Sequence, residues 1–206
     1  MTLTAVVTGG SGGIGSEVVR QLREKGWEVV SLSRREGCDV SNEDQVMKAF
    51  GRLESLDALV SCAAVLIKGP FAEMSVQDWD LQVDVGLRGA FLCSREAFKL
   101  MRGHAGSIVM VSSLSGVAGA EKFPGMAAYV AAKSGLAGLT EVLAAEGRGL
   151  GIRVNAISPG SVDTPMLRIA GVEGPALKPA DVARIIVWLA SEESATLSGA
   201  NLRMDP

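Results

Sequence analysis

One histidine, three cysteines and no long apolar run set the first limits on this chain. With His104 as the only histidine, there is no basis for a His-based triad or a zinc site. His104 falls in an expected helix-to-strand turn and reads as a solvated loop residue. Cys38, Cys62 and Cys93 are odd in number and unpatterned, so no metal site is expected. Such sparse cysteines suit a cytoplasmic protein with reduced thiols. No uninterrupted apolar stretch is long enough to span a bilayer. The first apolar strand follows Met1 almost at once, which leaves no room for a signal peptide. Charge of one sign is also scarce. The formal net charge is -3, so neither nucleic acid nor an anionic membrane is expected as a partner. A chain of 206 residues suits one compact domain, spanning 1–206, with a sizeable core.

What the chain does have is a regular alternation of apolar strands and helical patterns. Strands are expected at Leu3–Val7, Glu28–Leu32, Ala58–Ser61, Ser107–Val111, Arg153–Ile157 and Asn201–Met204. Helices are expected near Gly13–Lys25, Glu43–Arg52, Val76–Arg102, Met126–Gly149 and Pro179–Ser191. This rhythm predicts an α/β fold, a doubly wound parallel sheet with helices on both faces in three layers. Between the first strand and first helix lies Thr8-Gly9-Gly10-Ser11-Gly12-Gly13-Ile14-Gly15. Strand, glycine-rich turn and helix form a dinucleotide cradle. Glycine lets the backbone approach a pyrophosphate, and a helix N-terminus offers free N–H groups and the positive end of its dipole.

The spacing of that turn is T-G-x-x-x-G-x-G rather than the G-x-G-x-x-G of the Rossmann dinucleotide fingerprint. It resembles the short-chain dehydrogenase/reductase family. Tyr129-Val130-Ala131-Ala132-Lys133 matches the family's Y-x-x-x-K, and Ser113 lies upstream in an S-x-x-G pattern ending at Gly116. Arg153 to Gly160 resembles the segment after the active-site helix, and Asp39-Val40 the adenine-contacting pair. The resemblance implies a Rossmann-type fold, a nicotinamide cofactor and 3-oxoacyl or carbonyl reductase-like chemistry.

Tyr129 and Lys133 are four apart on an expected helix, so they share one face. A lysine ammonium beside a phenol favours the phenolate and is expected to lower its pKa. Tyr129 would then exchange a proton with a carbonyl or alcohol oxygen. Ser113 would hydrogen-bond that oxygen, with Ser112 and Ser115 as competitors for the role. By the resemblance, Lys133 also binds ribose hydroxyls. Pro159, Gly160, Val162 and Thr164 would hold the nicotinamide side, and Gly9, Ser11, Gly13, Ile14 and Gly15 the pyrophosphate. Asp39, Val40, Ser61 and Ala63 would lie along the adenosine. At the end of the second strand stand Ser33, Arg34 and Arg35 rather than an acidic residue. A hydroxyl and guanidinium groups fit a 2′-phosphate, which predicts NADP(H) over NAD(H).

The chain also departs from the family. Arg34 is followed almost at once by Gly37-Cys38-Asp39-Val40, where relatives have a helix and another strand. The family's N-N-A-G reads Ser61-Cys62-Ala63-Ala64, and Gly86 stands where the family's fourth catalytic residue, an asparagine, is usual. A slower proton relay is expected there. The primary expectation is an oxidoreductase interconverting a ketone and a secondary alcohol. The alternatives are a nucleotide-binding sensor or low-activity assembly subunit, and an NAD-dependent alcohol dehydrogenase. The resemblance also implies a homodimer or homotetramer paired through helices near Val76–Arg102 and Met126–Gly149.

Overall fold

In the computed structural model, which describes residues 2–206, six parallel strands form one sheet. They are β1 (Thr4–Thr8), β2 (Glu28–Leu32), β3 (Ala58–Ser61), β4 (Gly106–Val111), β5 (Ile152–Pro159) and β6 (Asn201–Met204). Their order is β2-β1-β3-β4-β5-β6. The helices are α1 (Gly13–Glu24), α2 (Glu43–Phe50), α3 (Val76–Val83), α4 (Gly89–Leu100), α5 (Ala127–Gly147), α6 (Pro165–Ala170) and α7 (Pro179–Ala190). The expected doubly wound α/β architecture is therefore the observed one.

The strands are apolar on both faces because both faces are covered. Successive side chains point to opposite sides of the sheet. Val6, Leu59, Ile108 and Met110 pack with Phe50, Leu92 and Leu136, on the side of α2, α4 and α5. Ala5, Val7, Val60 and Val109 pack with Val18, Leu22, Val182 and Ile186, on the side of α1 and α7. The chain leaves β1 toward β2, then returns to build β3 on the other side of β1. That reversal opens a crevice at the carboxyl ends of β1 and β3, where open α/β sheets bind ligands.

The segment after β2 is reduced to a single tight turn, Arg34–Glu36. Gly37 then takes a left-handed conformation, φ +80°, and the Cys38 N–H donates to the Ser33 carbonyl at 3.0 Å. No strand lies between β2 and β3, so β2 is an edge of the sheet. So few residues cannot cross the sheet face and return.

Three details differ from the sequence expectations. The expected helix Val76–Arg102 is interrupted by a π-helical turn at Asp84–Arg88, centred on Gly86. A Cβ at Gly86 would sit 3.2 Å from the Ala132 Cβ, so the helix widens where it presses on α5. Helix α6 is too short to show a periodicity. It is marked by Pro165 in its first turn and by Gly171 at its end, φ +60°. His104 is not a free solvated side chain. Its Nε2 lies 3.0 Å from the Leu56 carbonyl and ties the turn before β4 to the segment before β3.

Candidate active site

Two adjoining cavities open at the carboxyl end of the sheet, of about 550 and 500 Å³. The larger runs from the glycine turn past Ser33 to Lys133. The smaller is walled by Ser113, Phe123 and Met126. Ile14, Leu66, Ser112, Tyr129, Thr164 and Met166 line both, so Tyr129 stands at their junction.

The glycine turn is shaped by close backbone approach. Gly9 is left-handed, φ +66°, and a Cβ there would lie 2.9 Å from the Ala63 backbone. At Gly15 a Cβ would lie 2.2 Å from the Gly9 carbonyl oxygen, and at Gly13 2.5 Å from Thr164 Cγ2. Helix α1 begins after Gly12, without a side-chain cap and without an acidic residue in its first turn. Its first N–H groups therefore remain available to an anion. These features fit a dinucleotide pyrophosphate, and Gly9, Ser11, Gly13, Ile14 and Gly15 all line the larger cavity. Gly15→Ala would force the turn backbone apart. At least a tenfold weaker dinucleotide affinity is expected by fluorescence titration, about 1.4 kcal/mol.

Thr8, a residue sequence reasoning did not single out, fixes this turn against β3. Its Oγ1 accepts the Cys62 and Ala63 N–H groups at 3.1 and 3.2 Å. The signal was the threonine that opens the glycine motif. Ser61, expected along the adenosine, lines neither cavity. It is buried within β3, while Cys62, Ala63 and Ala64 line the larger cavity. Burial pushes the Cys62 thiol up to about 11, against the opposing pull of Lys133. Ala64 needs no unusual backbone angle, since no described residue other than glycine has positive φ.

Ser33, Arg34, Arg35, Asp39 and Val40 line the far end of the larger cavity. The Ser41 hydroxyl and N–H donate to the Asp39 carboxylate at 2.6 and 3.0 Å, holding its pKa low with help from Arg34. Both arginines are exposed. The Ser33 hydroxyl is already engaged. It donates to Glu36 Oε2 at 2.5 Å, and the Ser31 hydroxyl donates to the same oxygen at 2.8 Å. Glu36 was also missed in the sequence. Its signal is the S-x-x-E spacing from Ser33, the pattern of a helix capping box.

Tyr129 and Lys133 do lie on one face of α5. Lys133 is 3% exposed, and its Nζ sits 5.6 Å from the Tyr129 ring centre and donates to the Val111 carbonyl at 2.6 Å. The expected lowering of the tyrosine pKa is not observed. Burial raises the Tyr129 phenol to about 12, with the Ser113 hydroxyl pulling it down. The same burial lowers Lys133 to about 8. The enclosure that brings the two groups together penalises both of their charged forms. Tyr129 thus keeps its phenolic proton at pH 7.

Among the neighbouring serines, Ser112 donates to the Lys133 carbonyl at 2.8 Å. Ser113 accepts from the Ser115 N–H at 3.2 Å and lines the smaller cavity. Gly116 explains the S-x-x-G pattern, because a Cβ there would lie 2.6 Å from the Lys133 carbonyl carbon. Pro159, Gly160 and Val162 line the smaller cavity, and Thr164 donates to the Val162 carbonyl at 3.2 Å. Gly86 offers no side chain to the site and packs on Ala132 instead.

A sequence model of the family described as Enoyl-(Acyl carrier protein) reductase matches residues 33–206. The chain belongs to the short-chain dehydrogenase/reductase family. It is 32% identical to the 3-oxoacyl-[acyl-carrier-protein] reductase FabG of Rickettsia bellii, covering 98% of this chain and 95% of the relative. It is 34% identical to cis-4-hydroxycyclohexanecarboxylate dehydrogenase of Sinomonas cyclohexanicum, over 98% and 94% of the two chains. The ligand-free aldohexose dehydrogenase of Thermoplasma acidophilum superposes with a TM-score of 0.91 at 28% identity, over 99% of this chain and 92% of that one. The structure of ElxO with NADP bound superposes with a TM-score of 0.88 at 26% identity, over 100% of this chain and 98% of that one. Alignment to the Rickettsia bellii relative runs over 232 positions, more than the 206 residues of this chain. This short-chain dehydrogenase/reductase is therefore shortened internally compared with that relative. Membership makes it an oxidoreductase of a family that uses nicotinamide cofactors. No helix among the described residues is long and apolar enough to cross a membrane.

Proposed function

We propose that the chain is a single-domain, cytoplasmic reductase that interconverts a small-molecule ketone and its secondary alcohol with NADP(H). The observation that carries this reading is the placement of Tyr129 where the two cavities meet, with Ser113 facing it and Lys133 one helical turn behind. With its adenosine and pyrophosphate along the larger cavity and its nicotinamide end at the junction with the smaller, a nicotinamide dinucleotide would supply or accept the hydride. Tyr129 donates its phenolic proton to the carbonyl oxygen in reduction and recovers it in oxidation. Ser113 orients that oxygen by a hydrogen bond. Lys133 holds the Val111 carbonyl and carries the positive charge beside the ring. Gly9, Ser11, Gly13, Ile14 and Gly15 would hold the pyrophosphate, Asp39, Val40 and Ala63 the adenosine side, and Pro159, Gly160, Val162 and Thr164 the nicotinamide side.

Arg34 and Arg35 are the groups offered to a 2′-phosphate. Titration of NADPH and NADH fluorescence on one preparation tests the reading, followed by a screen of ketones for NADPH oxidation. Arg34→Ala is expected to weaken NADPH about tenfold or more and to leave NADH within twofold, the loss of one charge-assisted contact. Equal effects on both cofactors would remove the phosphate assignment. NAD(H) is the second reading, and one contact favours it: Glu36 already occupies the Ser33 hydroxyl, as an acidic group that accepts from a ribose hydroxyl would.

A homodimer or homotetramer is part of the proposal. Phe91 on α4 and Val142 on α5 are 47% and 49% exposed, apolar groups suited to cover by a second copy. Light scattering is expected to give two or four chain masses, and a monomer would overturn this.

A further inference from the structure

Three segments that are far apart in sequence meet at Lys68. Its Nζ donates to the Ala170 carbonyl at 2.6 Å, at the last residue of α6. The neighbouring Gly69 N–H donates to the Gly125 carbonyl at 3.0 Å. Gly125 and Gly171 are both left-handed, φ +84° and +60°, and both lack a side chain where Lys68 passes. A Cβ at Gly125 would lie 3.1 Å from Lys68 Cγ, and one at Gly171 3.7 Å from Lys68 Nζ. The residues next to this knot are Leu66, Met126 and Ala170. They are the three buried members of a small separate apolar cluster, 5–7% exposed, that packs on Tyr129. All three line the smaller cavity. The cluster thus forms a roof over the tyrosine, built from three segments, with Lys68 tying its own segment to α6 and the adjacent Gly69 tying it to the loop before α5.

We propose that Lys68 is a positioning residue for the reaction, a latch that holds α6 and the loop before α5 closed over Tyr129. Lys68 touches neither cavity, so it acts through the roof. Its position suits the task. The α6 carbonyls at Leu167 and Arg168 are taken by Gly171, and Lys68 takes the one at Ala170. A cation there also meets the negative end of the helix dipole. The role rests on the proposed function, because a closed roof matters only if Tyr129 performs the proton transfer.

The test needs neither cofactor nor substrate. Tyr129 is the only tyrosine in the chain, so tyrosinate absorbance near 295 nm reports it alone, with Tyr129→Phe as the blank. Lys133 and Cys62 face the ring, and Glu121, Arg203 and Asp205 also line its cavity. Those groups are the same in every variant compared. At pH 10 a phenol that titrates at about 12 is roughly 1% ionised, and a free one is half ionised. Lys68→Met keeps the stem and removes the head. Opening the roof is expected to raise the tyrosinate fraction at pH 10 several-fold. Loss of a positive charge alone would lower that fraction, so the sign separates opening from plain electrostatics. Hydrogen exchange across residues 164–172 is expected to quicken at least fivefold, and Lys68→Arg is expected to restore both signals. Unchanged absorbance and exchange in Lys68→Met would overturn the latch, as would an Arg variant that behaves like the Met variant. Failure of NADPH to bind the wild type would instead overturn the proposed function and leave these two readouts standing.

Discussion

Tyr129→Phe is expected to lower kcat/KM for ketone reduction by 10²- to 10⁴-fold and to leave NADPH affinity within about twofold. The change removes one oxygen and keeps the ring, so the roof of Leu66, Met126 and Ala170 retains its packing. The loss corresponds to about 3–5 kcal/mol of transition-state stabilisation. No neighbour replaces the phenol. Lys133 directs its Nζ at the Val111 carbonyl, and Ser112 gives its proton to the Lys133 carbonyl. Glu121 and Asp205 line the same cavity but are exposed residues at its edge. Turnover in NADPH oxidation and binding by fluorescence are the two measurements. A variant that binds NADPH and turns over at the wild-type rate would transfer the case to a nucleotide-binding sensor.

The sheet was legible because a buried parallel strand has little freedom in composition. Runs such as Ala58–Ser61 and Ser107–Val111 must be apolar on both faces, and they are short and bounded by turn residues, unlike the helical patterns between them. The pairing of Tyr129 with Lys133 was legible because helical spacing alone places i and i+4 together. The charge state of that pair was not. A neighbouring cation lowers a phenol in water, but here desolvation is the largest influence on each of the two groups. Spacing encodes proximity, whereas burial is set by residues as distant as Leu66 and Ala170. Glu36 was missed for a related reason. Its carboxylate reaches Ser33 because Arg34–Glu36 closes into a single tight turn, and the reduced segment after β2 shows in the sequence only as an absence. Helix α6 and the Lys68 contact are tertiary facts with no local pattern, since a six-residue helix shows fewer than two turns of periodicity.

Lys133→Met is expected to abolish most activity and yet to stabilise the fold at pH 7. The lysine is 3% exposed, and burial lowers its pKa from 10.5 to about 8. The unfolded chain then binds more protons than the folded one between about pH 8 and 10.5, so wild-type stability rises with pH across that window. Below pH 8 the folded protein bears the full cost of an enclosed ammonium, about 3 kcal/mol at roughly 1.4 kcal/mol per pKa unit. Methionine fills similar space without that charge. It also leaves the Val111 carbonyl without its donor from Nζ, a loss of about 1–2 kcal/mol. The net gain is therefore about 1–2 kcal/mol at pH 7, a rise of roughly 2–8 °C in Tm for a chain of this size. The advantage should shrink above pH 8, vanish between about pH 9 and 10, and reverse by pH 10.5, where the wild-type amine is neutral and keeps its hydrogen bond. Urea unfolding of both proteins at pH 7 and pH 10 measures the difference, and a wild type more stable than the variant at pH 7 would refute it. A stabilising loss of function at Lys133 is what an active-site charge produces when it is held in a strained state for chemistry. Stability alone would replace this lysine, whereas the proposed function would retain it.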